Sequence, residues 1–230
     1  MSLRGADVSV VIPVFNAERF IDDAINAVVN QTVRPGEIIV VDDGSTDSSA
    51  GRCEAWVPDV TLIRQDNAGP GRARNVAMQV ATGSLVALVD ADDIWQPHKI
   101  ELQLAHLAAH PDQVAVFGWM QNFVDSSAHL VVGPNAQLDA GPAFQPSTMM
   151  AYRTVMDVVG PFDEVGPLQG WLDWFMRLRE SGLPIGMVEE LVTMRRIHDD
   201  NLSIRHQASR SEVHRFLHDS LQRRRAKEAQ

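Results

Sequence analysis

Cysteine is nearly absent: the 230-residue chain has one, Cys53, which excludes an internal disulfide and a thiolate metal site. Long hydrophobic runs are missing as well. Stretches such as Val8–Phe15 and Leu85–Val89 fall well short of the roughly 20 residues that cross a bilayer, and no basic, apolar, small-residue leader opens the chain. These absences predict a soluble, cytoplasmic protein. Positive charge is in deficit: 20 Lys and Arg face 30 Asp and Glu, a formal net charge of −10, which argues against a nucleic-acid binder. The exception is the end of the chain. From Arg205 to Gln230 seven Arg and Lys stand against three acids. That segment reads either as a solvated helix end or as a peripheral contact with an anionic membrane face or partner.

What is present is an ordinary globular composition, 45% hydrophobic and 22% charged. Val8–Val14 is almost wholly β-branched and apolar, the pattern of a strand buried on both faces of a parallel sheet. Phe20, Ile21, Ala24, Ile25 and Val28 follow at helical spacing. Strands are predicted at Glu37–Val41, Val60–Arg64, Leu85–Val89 and Val114–Trp119. Helices are expected between them: one capped by Thr46 or Asp47, one through Val80, and one opened by Pro97 as its first residue. This alternation predicts an α/β fold with a mostly parallel central sheet flanked by helices. The second half is less regular, with a turn-rich excursion at Val124–Gly141, a strand at Phe144–Tyr152, a helix from about Leu168 to Ser181, and an extended Gly186–Ile197. Val213, Phe216, Leu217 and Leu221 share one face of a last helix. With no repeat or low-complexity linker, residues 1–230 read as one domain. Its parts are a ligand-binding half at about 5–118, an irregular half at about 119–204, and a basic helix at about 205–230.

Open sheets of this kind bind ligands beyond the carboxyl ends of their strands, and two acidic clusters fall there. Asp90-Ala91-Asp92-Asp93 puts three carboxylates in four residues, an arrangement disfavoured unless cations or donors offset the repulsion. A divalent ion is the simplest compensator, although an exposed Asp-rich turn would also be harmless. Asp42-Asp43 can accept hydrogen bonds from a base N–H or a ribose hydroxyl, or can belong to a helix-capping turn. Arg72 and Arg74 follow the Gly-containing loop 67–71, and Arg is suited to phosphate oxygens.

Four motifs occur in order: Ser9-Val10-Val11-Ile12-Pro13-Val14-Phe15-Asn16, Val41-Asp42-Asp43-Gly44-Ser45-Thr46-Asp47, Asn67-Ala68-Gly69 with Ala73-Arg74-Asn75, and Asp90-Ala91-Asp92-Asp93. This set closely resembles the family 2 glycosyltransferases, which have the GT-A fold. Gly160-Pro161-Phe162-Asp163-Glu164 and Arg196…His198…Asn201 extend a weaker resemblance to about residue 203. The resemblance implies sugar transfer with inversion from a nucleoside-diphosphate sugar to a hydroxyl of a glycan, lipid-linked or small-molecule acceptor, assisted by Mn²⁺ or Mg²⁺. It places Pro13, Val14, Phe15, Asp42 and Asp43 around the nucleobase and Arg74 near the phosphates. It makes Asp90 and Asp92 the Asp-x-Asp pair that holds the metal, Asp92 the more direct ligand and Asp90 nearer the ribose, and brings His198 close to the metal or diphosphate as a further candidate ligand.

The chain departs from the family at one point. Most relatives carry a Glu-Asp pair before a helix ending in Arg-Leu, and aligning on Arg177-Leu178 puts Gly170-Trp171 there. Asp173 is the only acid between Asp163-Glu164 and Glu180, and is the candidate general base; a first-turn acid favoured by the helix dipole is the other reading. Trp171 and Trp174 flank it, either as sugar platforms or as core residues. Trp95 carries the same ambiguity. Two other functions compete: a non-catalytic nucleotide-sugar-binding protein, favoured by the missing acidic pair, and a nucleotidyltransferase, disfavoured because no Gly-rich basic loop follows the first strand.

Overall fold

The computed structural model describes residues 3–126, 128, 138–164, 169–201 and 223. The predicted helix carrying Val213 to Leu221, the possible membrane contact, and the centre of the 124–141 excursion lie outside these residues. Among the described residues no helix is long and apolar enough to cross a membrane.

One sheet organises the chain. Its first part is parallel: β1 (Val8–Val14) lies between β2 (Glu37–Asp42) and β4 (Leu85–Leu88), with β3 (Thr61–Arg64) beyond β2. The chain then adds the two-residue β5 (Ile94–Trp95), β6 (Ala115–Val124), β7 (Gly141–Ala143), β8 (Met150–Tyr152) and β9 (Ile185–Ile197), giving the order β3-β2-β1-β4-β8-β6-β9-β5 with β7 on β6. β8 runs antiparallel between β4 and β6, while β6 and β9 are parallel to each other.

Alternation along β1 assigns the two faces. Val8, Val10, Ile12 and Val14 pack with Ile21, Ile25 and Val28 of α1 (Ile21–Val29) and with Ile100, Leu104 and Leu107 of α4 (Lys99–Ala109). Val11 faces the other way, with Ile39, Val41 and Leu88, onto Ala73 and Ala77 of α3 (Pro70–Val80) and Trp174 and Leu178 of α6 (Gln169–Ser181). Both faces of β1, β2 and β4 are therefore dry, and hydrophobic burial on the two sides drives the assembly. Two short helices, α2 (Ser49–Glu54) and α5 (Val155–Val159), complete the layers.

The structure corrects three local expectations. Pro97 does not open α4; it precedes the N-cap His98, and its carbonyl accepts from Thr32 N at 2.9 Å, because the residues before it are drawn into β5 against β9. Phe144–Tyr152 is not one strand. Pro146–Thr148 forms a 3-10 turn closed by the reciprocal Gln145–Thr148 contacts, and only Met150–Tyr152 pairs. The helix expected from Thr46 or Asp47 starts at Ser49, with Asp47 Oδ1 accepting from the Ser49 N–H at 2.9 Å.

Candidate active site

Because β1 sits between β2 and β4, the acidic clusters that follow β2 and β4 flank the loop that follows β1. Asp43 N donates to Val14 O at 2.8 Å, and Val89 N to Val11 O at 3.1 Å. The strand order turns back on itself here, with β2 on one side of β1 and β4 on the other, which is where open α/β sheets leave a crevice. Pro13 and Val14 belong to β1, and Phe15 emerges from it 49% exposed. Asn16 takes a positive φ of 48° and its Oδ1 accepts from Thr46 N at 2.8 Å, so the loops after β1 and β2 are tied together.

The two aspartates of the first cluster do different work. Asp43 accepts from Gln65 Nε2 (2.6 Å), Ala68 N (2.9 Å) and Gly69 N (2.8 Å). Its carboxylate is thus committed to holding the loop that leads into α3. Asp42 is equally buried, yet its carboxylate has only a long 3.4 Å contact from Ser45 N among the described residues. Of the pair, Asp42 retains acceptor capacity for a ligand.

The second cluster is split in the same way. Asp90 Oδ1 accepts from Arg74 Nη2 at 2.7 Å, and Arg74 Nε is buried without a partner. Asp93 is inward-facing and accepts from Ser147 Oγ at 2.6 Å. Burial pushes the Asp93 carboxyl well above its ordinary range, and the charges of Asp92 and Asp90 add to that. Asp90 moves in the same direction: burial raises it, the Arg74 charge opposes, and Asp92 reinforces. Its side chain keeps 36% exposure, so Asp93 is the carboxyl on which burial acts more strongly.

Asp92 meets the end of the chain's last described strand. His198 Nε2 and Asn201 Nδ2 lie 3.0 and 2.9 Å from the same oxygen, Asp92 Oδ2. Asp200 N–H donates to His198 Nδ1 at 3.2 Å, which assigns the ring proton of the neutral imidazole to Nε2, facing Asp92. In this arrangement His198 is a hydrogen-bond donor to Asp92. Ligating a metal through Nε2, the role expected from the sequence, would require that proton to move. The histidine is buried against Phe20, ring centroids 4.3 Å apart. Arg196 lies between Phe20 and Phe123, 5.0 Å from each ring, and donates to Asp23, Asp125 and the Asp92 carbonyl. This packing fixes the turn from β9 against the acidic loop.

Among the described residues no three His, Cys, Asp or Glu side chains converge as a ready-made metal cage. The donor set still fits a hard divalent cation. Crowded carboxyls pushed toward protonation are relieved by a cation, and Mg²⁺ or Mn²⁺ commonly takes one or two protein carboxylates and fills its shell with phosphate oxygens and water.

The residues of the expected acceptor side are arranged differently. Gly170 packs against the Asp163 carbonyl so closely that an added Cβ would lie 2.5 Å from that oxygen, and a Cβ added to Gly71 of α3 would lie 2.1 Å from the same oxygen. The position at which the resemblance places an acid is a packing contact between α3 and α6. Trp171, expected at the substrate, is 9% exposed. It packs among Phe117, Phe162, Trp174 and Phe175, and its indole N–H donates to Phe144 O at 3.0 Å. Trp174 and Trp95 are core residues too. Asp173 is held at both oxygens, Oδ2 by Arg177 Nε at 2.7 Å and Oδ1 by Arg223 Nη1 at 3.1 Å. Arg223 also binds Glu180 two turns further along α6, 2.9 Å away. The carboxylate expected as a base anchors a residue of the C-terminal segment.

A curled, mostly parallel sheet with acidic turns at the ends of its second and fourth strands is the GT-A architecture. The family model for glycosyl transferase family 2 matches residues 9–129, and the chain belongs to that family. An uncharacterized glycosyltransferase of Nostoc sp. is 34% identical over 177 residues, covering 69% of this chain and 54% of the relative. The glycosyltransferase GlyG of Streptococcus pneumoniae is 33% identical over 53% of this chain and 42% of its own. The chain thus spans about half the length of these relatives. Among solved structures, TarS of S. aureus superposes with a TM-score of 0.67 at 20% identity, over 83% of this chain and 36% of its own. The mannosyltransferase PcManGT of Pyrobaculum calidifontis, solved with GDP-Man and Mn²⁺, gives 0.67 at 19% identity over 85% and 58%. These two likenesses concern the fold.

Proposed function

We propose that the chain transfers a sugar, with inversion, from a nucleoside-diphosphate sugar to an acceptor hydroxyl, with a divalent cation bound at Asp92. The observation that carries this reading is the division of labour within the acidic clusters. Asp43 is committed to the 65–69 loop and Asp93 is turned inward onto Ser147. Among the described residues Asp42 has only the long Ser45 contact and Asp92 is bonded at Oδ2 alone, both at strand ends beside the loop after β1. Asp42 accepts from a nucleobase N–H, and the ring of the half-exposed Phe15 offers a stacking face. Arg74 holds Asp90 in place and has an unused N–H for a ribose or phosphate oxygen. His198 and Asn201 hold the Asp92 carboxylate in one orientation. A cation held by Asp92, with Asp90 beside it, would supply charge neutralisation at the departing diphosphate.

Complexes of structural neighbours support a donor of this class: a TarS fragment has been solved with UDP-GlcNAc and PcManGT with GDP-Man and Mn²⁺. Asp173 is left out of the reacting set, because two guanidinium groups already occupy its oxygens. Family membership sets the nucleotidyltransferase reading aside. The second reading, a nucleotide-sugar binder without transfer, is favoured by the Gly170-Trp171 packing in place of an acidic pair.

A thermal-shift panel of nucleoside diphosphates with and without Mn²⁺ tests the donor site, since a ligand of the native state raises its melting temperature by mass action. One base is expected to stand out and to need Mn²⁺; no shift with any nucleotide would overturn the proposal. Release of nucleoside diphosphate from the matching nucleotide-sugar separates the enzyme from the binder.

A further inference from the structure

Ser147 lies in the 3-10 turn before β8, in the irregular half of the chain, and is wholly buried. Its hydroxyl closes a bridge inside the acidic turn: it accepts from Asp90 N at 3.0 Å and donates to Asp93 Oδ2 at 2.6 Å. Its carbonyl is gripped from two elements, by Trp95 Nε1 at 2.8 Å and Thr193 Oγ1 at 2.7 Å. The residues that follow are held as firmly. Gln103 Nε2 donates to Thr148 O at 2.7 Å, and the buried Lys99 Nζ to Met149 O at 3.3 Å. The serine is therefore a fixed post, anchored by α4, β5 and β9, on which both ends of the Asp90–Asp93 turn hang. Asp92, between those ends, is the acid of the turn that points away from the post to His198 and Asn201.

From this geometry we infer that Ser147 is a positioning residue for the cation site: it sets the conformation of the Asp90–Asp93 turn in which Asp92 is presented to a divalent ion. The inference rests on the cation-assisted reading above. Groups that orient metal ligands without touching the metal commonly carry 10–100-fold of its affinity. Removing the hydroxyl leaves Asp90 N and the Asp93 carboxyl without their shared partner in a buried place, and the turn relaxes to satisfy them elsewhere.

The test is Mn²⁺ binding measured by the EPR signal of the free ion, in the presence of the nucleoside diphosphate chosen by thermal shift. Wild type is compared with Ser147→Ala, with the nearly isosteric Ser147→Cys, and with Glu37→Gln at the opposite end of the sheet. Ser147→Ala is expected to weaken Mn²⁺ affinity about tenfold or more. Ser147→Cys fills the same space with a weak donor, and is expected to lose several-fold by the same argument; it carries the test if the alanine variant does not fold. Glu37→Gln loosens the far end of β2, where Glu37 is bonded to Ser9, Thr82 and Gly83, without touching the post or its anchors, and is expected to lower the melting temperature while leaving Mn²⁺ affinity unchanged. Wild-type affinity in both serine variants, or an equal loss in all three, overturns the positioning role. Absence of Mn²⁺ binding to the wild type overturns the cation reading itself.

Discussion

His198 and Asp92, 106 residues apart in sequence, meet with Nε2 3.0 Å from Oδ2, and the imidazole reaches that carboxylate with its proton already turned toward it. A strand end from the irregular half thereby fixes the acid contributed by the parallel half.

Replacing His198 separates donation from ligation. If the ring orients Asp92, His198→Gln, whose amide N–H₂ is also a donor, keeps more Mn²⁺-dependent nucleotide affinity than His198→Ala, which is expected to lose about tenfold. Equal losses in the two variants, measured by calorimetric titration, would assign the ring to the metal instead.

Asp173 gives a sharper contrast. As the anchor of Arg177 and Arg223, its conversion to Asn is expected to lower unfolding free energy by about 1–2 kcal/mol, the range for a partly exposed charged hydrogen-bond pair. Turnover should stay within several-fold. Arg223→Ala should reproduce the stability loss, with little added in the double variant. A fall in turnover of a thousandfold with unchanged urea stability would restore Asp173 as the base.

A tight contact at Gly170 occupies the position where the family resemblance would place an acidic pair, and it can be probed directly. Gly170→Ala places a Cβ 2.5 Å from the Asp163 carbonyl, so it should destabilise by about 1–3 kcal/mol, as overpacking does. Gly170→Glu, the residue the resemblance places there, should do no better. A neutral effect on urea unfolding would show that α3 and α6 have room there, and would reopen the question of why the acid is missing.

Glu37 supplies a pH signature. Burial alone would raise its carboxyl, but hydrogen bonds from the Ser9 and Thr82 hydroxyls and the Thr82 and Gly83 N–H groups outweigh it and hold the group below its ordinary 4.5. A carboxyl lowered in the folded state stabilises the protein above its unfolded value and loses that contribution as pH falls through the folded value. The stability gap between wild type and Glu37→Gln should therefore be full near pH 7 and close on descending below about pH 4. A gap that widens in acid would contradict the assignment.

Legibility in the sequence followed the range of the interactions. The parallel half was readable because burial on both faces makes each strand an unbroken apolar run, and because turn chemistry marks each strand end. The positions of Asp42, Asp90 and Asp92 followed from that alone. The roles within each pair were not readable. Asp43 differs from Asp42, and Asp93 from Asp92, only through partners far away in sequence, Gln65 to Gly69 in one case and Ser147 in the other. Ser147 gave no signal, since a serine in a Pro-Ser-Thr turn is commonplace. Trp171 was ambiguous because the same helical spacing suits a platform and a core, and only the aromatic cluster around it decides. The two-residue β5 is too short for any pattern, and it displaced the predicted start of α4.

The central claim is that Asp92 presents a cation to a diphosphate. Calorimetric titration of the preferred nucleoside diphosphate into wild type and Asp92→Asn, each with Mn²⁺ and with EDTA, tests it most directly. Expected are tight binding by the wild type in Mn²⁺, a loss of about tenfold or more in EDTA, and a variant that binds weakly and equally in both. Equal affinities in Mn²⁺ and EDTA for the wild type, unchanged by the substitution, would contradict it.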